Sequence, residues 1–142
     1  MASATDGHPK TPCRALDCLL VDDDPLIRLC VKTMVVTAGH RVTSAGDGEE
    51  ALGILSARRF DVVISDIRMP NLDGWGLFEH VRRCSPETDV ILMTAYATVP
   101  DALTALSRGA CEYLPKPVDA DELTAQLQEI SDRRCKRTET KM

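Results

Sequence analysis

A chain of 142 residues with 44% hydrophobic and 27% charged residues has the size and make-up of one soluble globular domain with an ordinary core. Its net charge of −5 argues against a surface for phosphate backbones, which wants clustered Lys and Arg. No apolar stretch reaches the length of a signal-peptide core or a membrane span, so neither nucleic acid nor membrane is an expected partner and the cytoplasm is the default compartment.

Residues 1–15 are polar, carry Pro9 and Pro12, and are expected to form a disordered leader. Cys18-Leu-Leu-Val21 is the first buried strand and ends abruptly in Asp22-Asp-Asp24. Asp24 and Pro25 pair an N-cap with a first helical residue. The helix runs to about Ala38, with Leu26, Leu29, Cys30 and Met34 near helical spacing, and Gly39 stops it. Arg41 to Ala45 is a short second strand, and Asp47-Gly48 opens a helix whose apolar stripe is Ala51, Leu52 and Leu55. Val62-Val-Ile64 is a β-branched run fit for burial on both faces, broken by Ser65 and Asp66. Pro70 and Asp73-Gly74 mark a turning loop before a helix from about Trp75 to Arg83, which Ser85-Pro86 closes.

Asp89 to Thr94 is a fourth strand, followed by a helix that Thr98 and Asp101 cap and that reaches about Ser107. Glu112 to Pro115 is a fifth strand. Asp119 and Glu122 cap a last helix bearing Leu123, Leu127 and Ile130. Residues 133–142 are charged and unpatterned and read as a solvated tail or linker, which leaves 16–132 as the folded domain. Cys13, Cys18, Cys30, Cys84, Cys111 and Cys135 include no Cys-x-x-Cys pair, so they read as buried or incidental free thiols. His8, His40 and His80 form no ligand set and read as surface residues. Trp75, just past the acidic loop, reads as a helix-start packing residue rather than a ligand contact, and its fluorescence would report metal or phosphate nearby.

Short apolar strands alternating with helices make a doubly wound α/β sheet, parallel, with helices on both faces. Ligands and chemistry gather at the carboxyl ends of such strands. Those ends carry Asp22 and Asp23, Asp66, Thr94 and Lys116. If strands one and three are neighbours, as in the flavodoxin-like order 2-1-3-4-5, the acids crowd at the strand spacing of about 4.8 Å. Crowded carboxylates cannot all ionise without a cation, and Mg²⁺ suits one or two of them while sharing its shell with a phosphoryl group. Lys116 adds positive charge and Thr94 a hydroxyl, so the set fits formation of an acyl phosphate on Asp66.

Leu-Leu-Val-Asp-Asp-Asp, Ser-Asp-Ile-Arg-Met-Pro-Asn-Leu-Asp-Gly, Leu-Met-Thr-Ala-Tyr and Tyr-Leu-Pro-Lys-Pro together resemble the receiver domain of two-component response regulators. The resemblance covers about Leu19 to Ile130 and is nearest in character to receivers that precede AAA+ activators of the NtrC type. It supplies the strand order 2-1-3-4-5 (βα)5. It implies that Asp66 takes phosphate from a sensor histidine kinase or phosphotransfer protein. Asp23 would be the direct Mg²⁺ ligand, Asp22 would act largely through water, and the Arg68 backbone carbonyl would complete the set with Asp66. Thr94 and Tyr113 would be the switch pair, Tyr113 turning from exposed to buried, and Lys116-Pro117 would be cis. Output would be an output partner or self-dimer at the Val99–Ile130 surface. Arg68 and Tyr96 would overhang the approach of hydrolytic water, giving slow self-dephosphorylation.

Two rivals fit less well. A haloacid dehalogenase-type phosphatase also uses an Asp nucleophile, a hydroxyl and a Lys on successive strands, and Asp22-x-Asp24 imitates its first motif. It needs a further strand ending in paired acids, and only one capped helix follows Lys116. A flavin carrier on the same fold needs a hydroxyl- and Gly-rich first loop, where this chain has acids. The expectation is a phosphorylation-driven switch rather than a turnover enzyme.

Overall fold

The structure, a computed structural model, describes residues 14–96 and 98–141, with side chains described for all of these except Val99 and residues 137–141. The expected leader up to residue 13, with His8 and Cys13, lies outside the described residues. Five strands and five helices alternate: β1 Asp17–Val21, α1 Pro25–Thr37, β2 Arg41–Ala45, α2 Gly48–Ala57, β3 Val62–Asp66, α3 Gly74–Cys84, β4 Asp89–Thr94, α4 Val99–Ser107, β5 Glu112–Pro115 and α5 Ala120–Lys141. All strand pairs are parallel and the order is β2-β1-β3-β4-β5, as the resemblance implies.

Strand alternation splits the apolar residues into two cores, one on each face of the sheet. Cys18, Leu20, Val62, Ile64, Ile91 and Met93 face α1 and α5, meeting Val31, Val35, Leu123, Leu127 and Ile130. Leu19, Val21, Val63, Val90 and Leu92 face the other way, onto Ala51, Leu77, Phe78, Val81 and Ala105 of α2, α3 and α4. The inward face of α1 is therefore Val31 and Val35. Leu26 and Leu29, read as part of the apolar stripe, are instead exposed, at 67% and 59%.

Helix starts follow the local chemistry. Asp24 accepts from the Leu26 and Ile27 amides, Asp47 from Glu50, Asp73 from Gly76, Thr98 from Asp101 and Asp119 from Glu122. In α2 the cap is reciprocal, because Glu50 also accepts the Gly46 amide at 2.8 Å.

Three expectations need correction. His40 is buried rather than on the surface, and its Nδ1 accepts the Leu16 amide at 3.0 Å, so burial holds its pKa below the usual value. Arg14 and Ala15 are part of the fold: the Arg14 amide donates to the Ser131 hydroxyl at 3.0 Å, and that hydroxyl donates to the Arg14 carbonyl at 2.7 Å. Cys135 is disulfide-bonded, whereas Cys18, Cys30, Cys84 and Cys111 are free.

The stretch expected as a tail continues α5 to Lys141. Arg134, on that extension, reaches the amino ends of β3 and β4. It donates to the Asp61 carboxylate at 3.3 Å, the Asp89 carboxylate at 3.1 Å and the Asp61 carbonyl at 3.0 Å. Asp61 also accepts from Arg14 at 3.1 Å and from the Asp17 amide at 2.8 Å.

Candidate functional site

The site lies at the carboxyl ends of the strands, the pole opposite Arg134. Val21 pairs with Ser65 across β1 and β3, so Asp22 and Asp66, each one residue further, emerge side by side. Thr94 ends β4 and Lys116 follows β5. Ligand oxygens of Asp22, Asp23 and Asp66 all lie within 4.8 Å of one another, and these residues form a group fit to hold a metal ion.

The three acids sit in different surroundings. Asp22 is fully buried, with both oxygens engaged: Oδ1 accepts the Asp24 amide at 2.9 Å and Oδ2 accepts Lys116 Nζ at 2.8 Å. Asp66 is 5% exposed, with Lys116 Nζ at 3.3 Å on one oxygen and the Arg68 amide at 3.4 Å on the other. Burial pushes the Asp66 carboxyl above the ordinary carboxylate range; the Lys116 charge opposes this and the Asp22 charge adds to it. The Asp23 carboxylate is exposed and accepts no hydrogen bond among the described residues. A hard cation with oxygen ligands therefore finds one free carboxylate and one poorly satisfied one, with Asp22 reachable only behind its existing partners.

Lys116 bridges Asp22 and Asp66, and its pKa is raised: burial lowers it, and the bond and charge of Asp22 together with Asp66 more than offset that. The Lys116-Pro117 peptide is cis, as the resemblance implies. Thr94 is buried, and its hydroxyl oxygen accepts the Tyr96 amide at 3.0 Å. The Arg68 guanidinium lies over the Tyr96 ring, 4.2 Å from its centre. Arg68, Tyr96, Asp23, Thr94, Trp75 and Tyr113 line one cavity of about 590 Å³. Trp75 also packs toward Phe78, ring centres 6.4 Å apart, so it is both a packing residue and a neighbour of the acids.

Tyr113 departs from the expected exposed resting position. It is already inward, 8% exposed, and its hydroxyl meets the Thr98 backbone at the start of α4.

Close packing shapes the loop between β3 and α3. A Cβ on Gly74 would sit 2.4 Å from the Asp66 carbonyl oxygen, so only glycine lets α3 start against the acid strand. Asn71 takes a left-handed φ of 69°, which turns the loop and lays Leu72 over Gly48, where a Cβ would come within 2.3 Å of the Leu72 carbonyl oxygen. Arg28 enters the site unannounced by any motif: NH1 donates to the Asp22 carbonyl at 2.7 Å. Its only signal in sequence is a basic residue on the first turns of the helix that the acids cap.

The family model described as the response regulator receiver domain matches residues 18–128. The transcriptional regulatory protein GlrR of Escherichia coli (strain K12) is 40% identical over 105 residues, covering 74% of this chain and 24% of that protein. The DNA-binding transcriptional regulator NtrC of Salmonella typhimurium is 39% identical over 109 residues, 77% of this chain and 23% of that protein. The chain thus spans about a quarter of the length of these two curated regulators. Among solved structures, a response regulator receiver domain protein from Clostridium thermocellum superposes with a TM-score of 0.77 at 31% identity, covering 85% of this chain and 97% of that one. The receiver domain of Francisella response regulator 1452 gives 0.78 at 33% identity, over 84% and 98%. With sequence, fold and the acids at the strand ends in agreement, the chain belongs to the family of response regulator receiver domains.

Proposed function

We propose that Asp66 accepts a phosphoryl group from the phosphohistidine of a sensor histidine kinase or phosphotransfer protein. The observation that carries this is Lys116 touching both Asp22 and Asp66 while the Asp23 carboxylate stays free beside them. An Asp66 oxygen attacks phosphorus, a P–O bond forms, the P–N bond breaks, and the electron pair leaves with the imidazole. Asp23 and Asp66 with the Arg68 carbonyl, and Asp22 largely through water, would hold Mg²⁺, which would supply positive charge to the phosphoryl oxygens. Lys116 releases Asp66 and turns to the phosphoryl group, which it neutralises on a second side. Thr94 rotates its hydroxyl from the Tyr96 amide to a phosphoryl oxygen.

That rotation loosens the link between Thr94 and the loop leading to α4, while Tyr113 is already inward. Phosphorylation in this reading secures the inward Tyr113 rather than creating it, biasing a two-state arrangement of α4, β5 and α5. The Val99–Ile130 surface then binds an output partner or a second copy of the chain. The Arg68–Tyr96 stack spans the approach for in-line water, and Arg68 offers donors but no acceptor for a water proton, so hydrolysis of the acyl phosphate is slow.

The test is labelling by acetyl phosphate or a cognate kinase. Wild type should label in Mg²⁺, Asp23→Asn weakly, and Asp66→Asn not at all. Undiminished acyl-phosphate labelling of Asp66→Asn defeats the assignment. Steady turnover of a phosphate ester that depends on Asp22 and not on Asp66 would revive the phosphatase reading.

A further inference from the structure

Of the three site acids, Asp23 alone has a carboxylate that accepts no hydrogen bond among the described residues, so its direction rests on the main chain on either side. Both flanking carbonyls run to a single residue. Arg28 NH1 donates to the Asp22 carbonyl at 2.7 Å, and the Arg28 amide donates to the Asp24 carbonyl at 2.9 Å. The side chain and main chain of one residue therefore bracket Asp23. The rest of the turn is fixed around this bracket: the Asp22 amide donates to the Ala45 carbonyl at 3.2 Å, and the Asp24 amide to Asp22 Oδ1 at 2.9 Å.

We propose that Arg28 is a positioning residue for the divalent cation of this site. It acts through the Asp22 carbonyl, holding the Asp22–Asp24 turn so that the Asp23 carboxylate faces Asp66 before the cation arrives. The inference rests on the phosphoacceptor reading and adds a residue that its acids, hydroxyl and lysine do not include.

Charge and position predict opposite signs. A guanidinium near the acids repels a cation, so if Arg28 acted by charge alone, its removal would tighten binding. If it acts as an anchor, its removal leaves the turn to be ordered when the cation binds, which weakens binding. NH1 lies on a carbonyl oxygen and not on a carboxylate, so it leaves the acids their charge while fixing their frame. Contacts that orient a metal ligand in this way are worth about tenfold or more in affinity.

The experiment is a Mg²⁺ titration of the full chain and of Arg28→Met, Arg28→Gln and Arg28→Lys. It is read by Trp75 fluorescence, since Trp75 lines the same cavity as Asp23, and by amide exchange at Asp23 and Asp24. Arg28→Met and Arg28→Gln should bind Mg²⁺ about tenfold more weakly, with faster exchange at those two amides. Melting temperatures should stay within about 5 °C. Arg28→Lys keeps a charged donor and should recover most of the affinity. Unchanged or tighter Mg²⁺ binding in the neutral variants overturns the proposal, and so does their slower or equal exchange at Asp23 and Asp24. If wild type itself binds no Mg²⁺, the phosphoacceptor reading falls and this inference with it.

Discussion

Replacing Asp66 by Asn removes one buried charge and leaves the shape of the strand end unchanged. The ligand oxygens of Asp66 and Asp22 lie within 4.8 Å, a repulsion of about 3.5 kcal/mol at an effective dielectric constant of about 20. Lys116 is 3.3 Å from Asp66, an attraction of about 5 kcal/mol on the same basis, but its shorter contact, 2.8 Å, is with Asp22. Desolvation of a carboxylate only 5% exposed, on the order of several kcal/mol, then decides against the ion. The raised pKa of Asp66, with burial as its leading cause, has the same sign. Asp66→Asn should therefore be about 1–2 kcal/mol more stable than wild type at pH 7 without divalent cations.

Because the folded-state pKa lies above 3.8, the ionised carboxylate costs stability at neutral pH. That cost is relieved as pH falls through the folded value toward 3.8. The gap between the two proteins should close on acidification. Mg²⁺ at pH 7 should narrow it too, by binding native wild type. Urea denaturation followed by circular dichroism across that pH range, with and without Mg²⁺, measures both effects. An Asn variant less stable than wild type at pH 7, or a gap indifferent to both pH and Mg²⁺, refutes the reasoning.

Arg134→Met should cost about 2–4 kcal/mol, since it leaves the Asp61 and Asp89 carboxylates without a largely buried partner; a loss below about 1 kcal/mol in urea titrations would make the contact incidental. For His40, burial and then the Arg41 charge lower the folded pKa, so its contribution is whole above 6.5 and is lost as pH drops toward the folded value. The stability of His40→Gln should accordingly vary less than that of wild type below pH 6.5, and identical pH curves would exclude His40 as the source. Arg68→Asn, Tyr96→Glu and the double variant should shed phosphate faster than wild type, because each dismantles the Arg68–Tyr96 stack that the proposed function sets across the path of hydrolytic water; decay no faster in any of them would show that the stack does not shield phosphorus.

The strand ends were legible because a buried parallel strand is a run of apolar residues that must stop where the chain leaves the sheet, and Asp22, Asp66, Thr94 and Lys116 mark those stops. Caps were legible for a similar reason: Asp24, Thr98 and Asp119 act on amides two or three residues away. The face of α1 was not, since Leu26, Leu29, Val31 and Val35 put apolar residues on several sides of one helix and spacing alone did not rank them. His40 and Arg134 escaped because their partners, Leu16, Asp61 and Asp89, come from distant parts of the chain. Arg28 escaped because a side chain that bonds a backbone carbonyl leaves no complementary residue type to find.

The Ser131 hydroxyl, bonded on both sides to the Arg14 main chain, ties the way into the domain to its last helix. The described chain therefore enters beside the helix by which it leaves, under the amino ends of the strands, with the sheet between that junction and Asp66. A surface tether or dye attached through either of these segments meets the domain from beneath, leaving clear the mouth where Arg68 lies against Tyr96. Binding at the acids can then be observed on an anchored molecule without the anchor competing for the approach.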